Sequence, residues 1–248
     1  MQPVLSSVLL RGLGALAGDP EIASVVTDSR EAGPGSLFVC IRGERVDGHD
    51  YALRALEAGA AGVVVQRPVP GVPPEKCVQV PDALDAMIRL GANYRALYSP
   101  LLAGVTGSVG KTTTKDMIAA VLSTRYRVLK TEGNYNNNIG LPLTLLRLDR
   151  SCEICVLEMG MDRPGEIDYL GEIVQPDVGV ITNIGDAHIE RLGSRENIFR
   201  AKCELLPHIR KENGLLILNA EHEITDVFMG GVQCMRAGEV IVKGAFEE

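Results

Sequence analysis

Apolar positions fall along this chain in two rhythms. Short apolar runs at Ser24 to Thr27, Ser36 to Ile41 and Ala61 to Gln66 predict three strands, and the stretch from Tyr51 to Glu57 predicts a helix between the last two. The proline-rich run Arg67-Pro68-Val69-Pro70-Gly71-Val72-Pro73-Pro74 breaks that pattern, and Asp82 then offers an N-cap for a helix reaching about Tyr98. From Leu101 onward the alternation is regular. Strands are expected at 101–106, near 126–130, and at 153–158, 177–182 and 214–219, with helices at 112–122, 141–148, 165–173 and 195–208. Strands that are apolar throughout, separated by amphipathic helices, imply a parallel sheet covered on both faces, with ligands at the carboxyl ends of its strands. The expected fold class is α/β: a small N-terminal α/β domain over residues 1–81, then a mostly parallel-sheet P-loop domain over 82–248. Past Ala220 the order weakens to Gly230-Gly231 and a strand at Glu239 to Lys243, so the second domain is expected to be incomplete.

The richest stretch runs from Leu101 to Thr114, where an apolar strand enters the turn Gly107-Ser108-Val109-Gly110 and Lys111-Thr112-Thr113 opens a helix. Glycines let backbone N–H groups approach a phosphate, and a helix N-terminus adds unpaired donors and partial positive charge. Lys111 would lie along the β- and γ-phosphates of ATP, and the hydroxyl of Thr112 or Thr113 would ligate Mg2+. Val105 stands where the strict pattern has its first glycine, so this is a variant P-loop.

Composition narrows the partners. The chain has 248 residues, 46% of them hydrophobic, and a net charge of -7, which argues against a sequence-independent grip on nucleic acid or on an acidic membrane surface. No apolar run approaches a membrane span and no basic segment precedes one, so a cytoplasmic protein is expected. The one close cysteine pair, Cys152 and Cys155, falls on an expected strand whose alternation turns residues three apart to opposite faces. Two small core residues are the plainer reading than a metal or redox half-site.

Further candidates gather at the same sheet edge. Strand 153–158 ends in Glu158, a hard oxygen ligand suited to Mg2+. The segment Asn183 to His188 follows strand 177–182, and Lys202 sits on the next helix. Singly, Glu158 also suits a solvated or capping carboxylate, and His188 and Lys202 suit the surface. The loop Thr131 to Gly140, with Asn138 near its end, is either a left-handed-turn-tolerant connector or a set of amides for nucleotide, metal-bound water or substrate. In the first domain Arg30 suits a surface ion pair.

Taken together, these residues resemble the Mur ligase family, ATP-dependent enzymes that add amino acids to the UDP-linked peptidoglycan precursor. The resemblance is carried by Gly104 to Thr113, Asn138-Ile139-Gly140-Leu141-Pro142, Glu158, Asn183 through His188 and Ala201-Lys202-Cys203-Glu204, and it covers roughly residues 22 to 220. Within the family, Glu132 to Asn137, Glu158 to Met161 and Gly193 to Glu196 are most similar to members joining D-alanyl-D-alanine to UDP-N-acetylmuramoyl-tripeptide. The member adding the third residue is the alternative, as is a fragment that binds nucleotide and UDP-substrate without turnover. The resemblance implies ATP held by Gly107, Ser108, Val109, Gly110, Lys111, Thr112, Thr113, Asn138 and Asn183. It implies Mg2+ on Thr112, Glu158, His188 and Lys202, the last carbamylated by CO2, with Lys111, His188 and Lys202 catalytic and the UDP group on Ser29, Arg30 and His49. It also implies that a C-terminal Rossmann-like domain is absent, leaving apolar sheet surface for a partner to cover.

Overall fold

The computed structural model describes residues 1–187, 189–210 and 214–218, and the backbone of 234–236. Contacts divide the chain into two compact units, Met1–Tyr98 with Pro142–Asp149, and Ser99–Leu141 with Arg150–Glu248.

In the first unit, β1 (Val4–Leu5), α1 (Ser6–Leu9) and β2 (Glu21–Ile22) form a small antiparallel hairpin whose helix buries Leu9. A four-stranded parallel sheet follows, built from β3 (Ser24–Val26), β4 (Ser36–Val39), β5 (Gly62–Val65) and β6 (Cys77–Gln79) in that order, with α2 (Ala52–Glu57) between β4 and β5. The hairpin and β6 went unforeseen because each strand is only two or three residues long, too short for a period-two pattern to register.

Helix α3 (Ala83–Arg95) starts as expected, with Asp82 Oδ1 accepting from the N–H groups of Leu84 (2.7 Å) and Asp85 (2.9 Å). Its apolar face, with Ala86, Met87, Leu90 and Tyr94 all buried, packs on α1 and β5. Helix α3 therefore belongs to the first unit, and the division falls after Tyr98 rather than at the expected 81/82. Residues 142–149 join it. A Cβ on Gly91 would stand 3.0 Å from Pro142 Cα, and the Tyr94 hydroxyl donates to the Leu148 carbonyl at 2.9 Å while accepting from Gln2 N–H at 2.8 Å.

The second unit is one six-stranded sheet, parallel throughout, in the order β12-β11-β10-β7-β9-β8. From Leu101 on, the elements run β7 (Leu101–Thr106), α4 (Lys111–Leu122), β8 (Val128–Lys130), α5 (Gly140–Leu145), most of which belongs to the first unit, β9 (Ile154–Glu158), α6 (Glu166–Val174), β10 (Val178–Ile181), α7 (Ile189–Leu192), α8 (Arg195–Cys203), β11 (Leu215–Leu218) and β12 (Cys234–Arg236). The α/β class and the parallel sheet are as the sequence predicts. One face packs Ala103, Val105, Val156 and Val180 against Ala119 of α4. On the other, Gly179 lies so close to Leu205 and Ile209 that an added Cβ would stand 3.3 Å or less from each. From β7 the chain moves to β8 on one side, and from β9 it crosses to β10 on the other. The strand order thus reverses beside β7, the place where open α/β sheets bind ligands. The strand expected at Glu239 to Lys243 lies outside the described residues.

Replacing Tyr94 by Phe leaves the buried Leu148 carbonyl without its donor. A loss of about 1–3 kcal/mol is expected, read as a lower urea midpoint at unchanged slope.

Candidate nucleotide site

The turn after β7 has the conformation its glycines predict. Gly110 caps α4 in the left-handed region at φ 82°, and Gly107 adopts φ 149° with its Cα against Thr182, where a Cβ would fall 1.9 Å from Oγ1. The loop is tied to the segment after β10. Ser108 N–H donates to the Asn183 carbonyl at 3.0 Å and Val109 N–H to Asn183 Oδ1 at 2.9 Å, while the Thr182 hydroxyl donates to the Val109 carbonyl at 2.7 Å. Asn183, expected to touch nucleotide, therefore braces the P-loop, and two of the loop amides expected at the phosphates are spent on that brace. The N–H groups of the first turn of α4, at Lys111, Thr112 and Thr113, are the ones a helix leaves for an anion. Lys111 Nζ donates to the carbonyls of Gly107 (2.8 Å) and Ser108 (3.4 Å). Burial lowers its pKa, and the charges of Glu158 and Asp162 oppose that shift. Thr112 and Thr113 are exposed at the helix start.

Glu158 ends β9 beside this loop, with 2% of its surface exposed. Asn136 Nδ2 donates to its Oε1 at 2.8 Å, whereas Oε2 is buried without a hydrogen-bond partner among the described residues. Lys115 Nζ lies 3.7 Å from Oε2, and the Thr131 hydroxyl accepts from Glu158 N–H at 3.0 Å. An orphaned carboxylate oxygen at the carboxyl edge fits a hard cation. Among the described residues no group of three or more His, Cys, Asp or Glu converges. Neither Asn136 nor Lys115 was singled out from sequence. Lys115 had a signal, since it follows Lys111 by four residues on the same helical face. Asn136 was one of several asparagines; its neighbour Asn137 accepts from Gly140 N–H at 2.9 Å, and Asn138 is half-buried in the turn between.

Lys202 is 1% exposed on α8, and its pKa is pushed down to about 8, first by burial and then by the charge of Lys111. In the same motif Glu204 accepts from the N–H groups of Gly165 (2.8 Å) and Asp168 (3.3 Å), fixing the start of α6. Arg195 pairs with Asp186 at 2.6 Å and holds its carboxyl below the ordinary range. His188 lies outside the described residues.

In the first unit Ser29 and Arg30 line a cavity of about 610 Å³ with Thr27, Asp28, Tyr51 and Arg54. Arg30 donates from Nε to both oxygens of Asp28, at 2.9 and 3.0 Å, the ion-pair alternative foreseen for it. His49 does not offer a donor there. It is 3% exposed, its Nε2 accepts from Gln66 N–H at 2.8 Å, and its Nδ1 donates to Asp47 Oδ1 at 2.6 Å. Both ring nitrogens are spent within the domain, so the expected role in holding a pyrophosphate is corrected to a structural one. Arg54, on the cavity wall, supplies a guanidinium that sequence reading passed over.

A variant P-loop at the reversal point of a doubly wound parallel sheet, faced by a buried carboxylate, defines a P-loop nucleotide-binding α/β protein. The model of the Mur ligase middle domain matches residues 105–245, and that of the Mur ligase family catalytic domain matches residues 21–95. The chain belongs to the Mur ligase family, whose members are ATP-dependent. It is 51% identical over 198 residues to UDP-N-acetylmuramoyl-tripeptide--D-alanyl-D-alanine ligase of Bacillus subtilis, a match covering 79% of this chain and 43% of that one. The ligase of the same name from Escherichia coli is 39% identical over 210 residues, 84% of this chain and 46% of that one. Among solved structures, MurF from Acinetobacter baumannii superposes with a TM-score of 0.84 at 36% identity, over 90% of this chain and 50% of that one. MurF ligase from Thermotoga maritima in complex with ADP gives 0.76 at 36% identity, over 82% and 48%. The chain spans about half the length of the relatives it matches.

Gly107→Ala is expected to displace Thr182, release the Val109 carbonyl and misplace the loop. ADP affinity measured by calorimetry should fall at least about tenfold, the scale of a few disturbed hydrogen bonds, while the thermal midpoint moves by no more than a few degrees.

Proposed function

We propose that this chain carries the UDP-substrate-binding and ATP-binding parts of a ligase joining D-alanyl-D-alanine to UDP-N-acetylmuramoyl-tripeptide. The observation that carries the reading is the buried, half-satisfied Glu158 carboxylate beside Lys111 and the P-loop, in a chain similar to relatives named for that reaction. The first unit, residues 1–98 with 142–149, would take the UDP-substrate at the Ser29, Arg30 and Arg54 cavity, and the second would take ATP.

In this reaction a substrate carboxylate attacks the γ-phosphate of ATP, forming an acyl phosphate and ADP. The dipeptide amine then attacks the acyl carbon and expels inorganic phosphate, giving the amide. Two anions must meet before any bond forms, so the protein contributes placement and positive charge. The first turn of α4 holds the phosphates through its N–H groups, and Lys111 leaves the loop carbonyls to neutralise the transferring phosphoryl group. Thr112 or Thr113 and Glu158 would hold magnesium, which when bound neutralises charge between the β- and γ-phosphates. Asn183 keeps the loop in register. His188 and Lys202 would serve a second metal, Lys202 as a carbamate formed when its neutral amine adds CO2 and releases a proton. Burial of this lysine with a depressed pKa supports that reading, because the neutral amine is the reacting form. Among the described residues no helix is long and apolar enough to cross a membrane, and the use of ATP agrees with the expected cytoplasmic setting.

A nucleotide- and UDP-substrate-binding part without turnover is the alternative, and one experiment tests both. ADP release with Mg-ATP and UDP-N-acetylmuramoyl-tripeptide, with and without D-alanyl-D-alanine, separates the two. Dipeptide-dependent release that falls at least about 100-fold in Lys111→Ala supports ligation, whereas ADP binding without release supports the fragment. For Lys202, 13C NMR in labelled bicarbonate is expected to show a carbamate carbon that grows as pH rises through about 8 and is missing in Lys202→Ala.

A further inference from the structure

Lys115 is a buried charge that the mechanism above does not use. It is 2% exposed, and lysine is rarely found inside a protein unless paired. Its Nζ donates to the Thr131 carbonyl at 2.8 Å and stands 3.4 Å from Asp116 Oδ1 and 3.7 Å from Glu158 Oε2. At 3.7 Å the contact with Glu158 supplies charge without a hydrogen bond. Thr131 closes a triangle: fully buried, it gives its carbonyl to Lys115 and takes Glu158 N–H on its hydroxyl. Asn136 fixes the other carboxylate oxygen, Oε1. The result is a carboxylate whose charge is balanced from one side, whose orientation is set from two, and whose Oε2 keeps its lone pairs.

We infer that Lys115 is a positioning residue for the metal–nucleotide complex: it compensates Glu158 and holds its carboxylate with Oε2 unbonded, ready for the magnesium that accompanies the phosphates. The inference rests on the reading of the P-loop as a Mg-ATP site. An unbalanced buried carboxylate would turn toward other donors or water, and the oxygen presented to the metal would be lost. Lys111 and Lys115 lie one turn apart on α4, so the helix that grips the phosphates also sets the metal ligand.

The test is calorimetry of ADP binding to the full chain, once with Mg2+ and once with EDTA. Lys115→Gln keeps a donor for the Thr131 carbonyl and removes the charge, and Lys115→Arg keeps both. For Lys115→Gln, the factor by which Mg2+ strengthens ADP binding should fall at least about tenfold, in line with loss of a partner behind a metal ligand. Its affinity in EDTA should stay within about twofold, and Lys115→Arg should recover most of the metal factor. A wild-type metal factor in Lys115→Gln overturns the inference, as does an equal loss with and without metal, which would make Lys115 a support of α4 alone. If Lys115→Gln does not fold, Lys115→Arg decides, since loss of its metal factor at unchanged EDTA affinity contradicts a role for charge and its retention supports one. No ADP binding by the wild-type chain, or full binding by Lys111→Ala, overturns the reading of the site itself.

Discussion

Glu158 ends the second-unit strand β9 with its carboxylate out of water, and an ionised carboxylate there requires partners. The asparagine loop contributes Asn136 and α4 contributes Lys115, while Thr131, in the turn after β8, accepts from the Glu158 backbone N–H. These contacts tie α4, β8 and β9 together at one edge. The P-loop is held to the same edge from the other side, by Thr182 and Asn183 after β10. Three neighbouring parallel strands, β9, β7 and β10, thus bring the Glu158 carboxylate and the P-loop with Lys111 to one edge of the sheet.

Much of this was legible in the sequence because the second unit is regular. Its strands are apolar throughout, its helices are amphipathic, and Gly-Lys-Thr marks the reversal point. The candidate residues that the structure places together belong to motifs whose spacing is fixed by backbone geometry: Gly107, Gly110, Lys111 and Glu158. What escaped depends on side-chain direction across long sequence distances. Asn136 could not be told from Asn134, Asn137 or Asn138 until the turn was placed, and Asn183 reads equally as a ligand or as a brace. His49 looked like a donor because histidine often is one, yet both its nitrogens meet partners, one of them a backbone N–H seventeen residues on in the chain. The assignment of α3 to the first unit was likewise hidden, because its apolar face does not announce which sheet it meets.

In the proposed function the division of labour follows from chemistry more than from fold. A cavity with guanidinium groups suits a diphosphate on a sugar nucleotide, and a P-loop with a carboxylate suits a triphosphate with its metal. The proposed activation of a carboxylic acid by phosphoryl transfer would use both, since an anionic substrate and an anionic donor would be anchored separately. Burial depresses the pKa values of Lys202 and Lys111, and low-dielectric surroundings would strengthen the charge interactions of the proposed reaction.

The central claim, that Glu158 and the P-loop form one metal–nucleotide site, is tested most directly by a crystal structure with ADP and Mn2+, using the anomalous signal of the metal. Phosphates are expected at the first turn of α4, with an anomalous peak within ligand distance of Glu158 Oε2. A nucleotide bound elsewhere, or a metal peak with Glu158 still facing only Asn136 and Lys115, would contradict that claim.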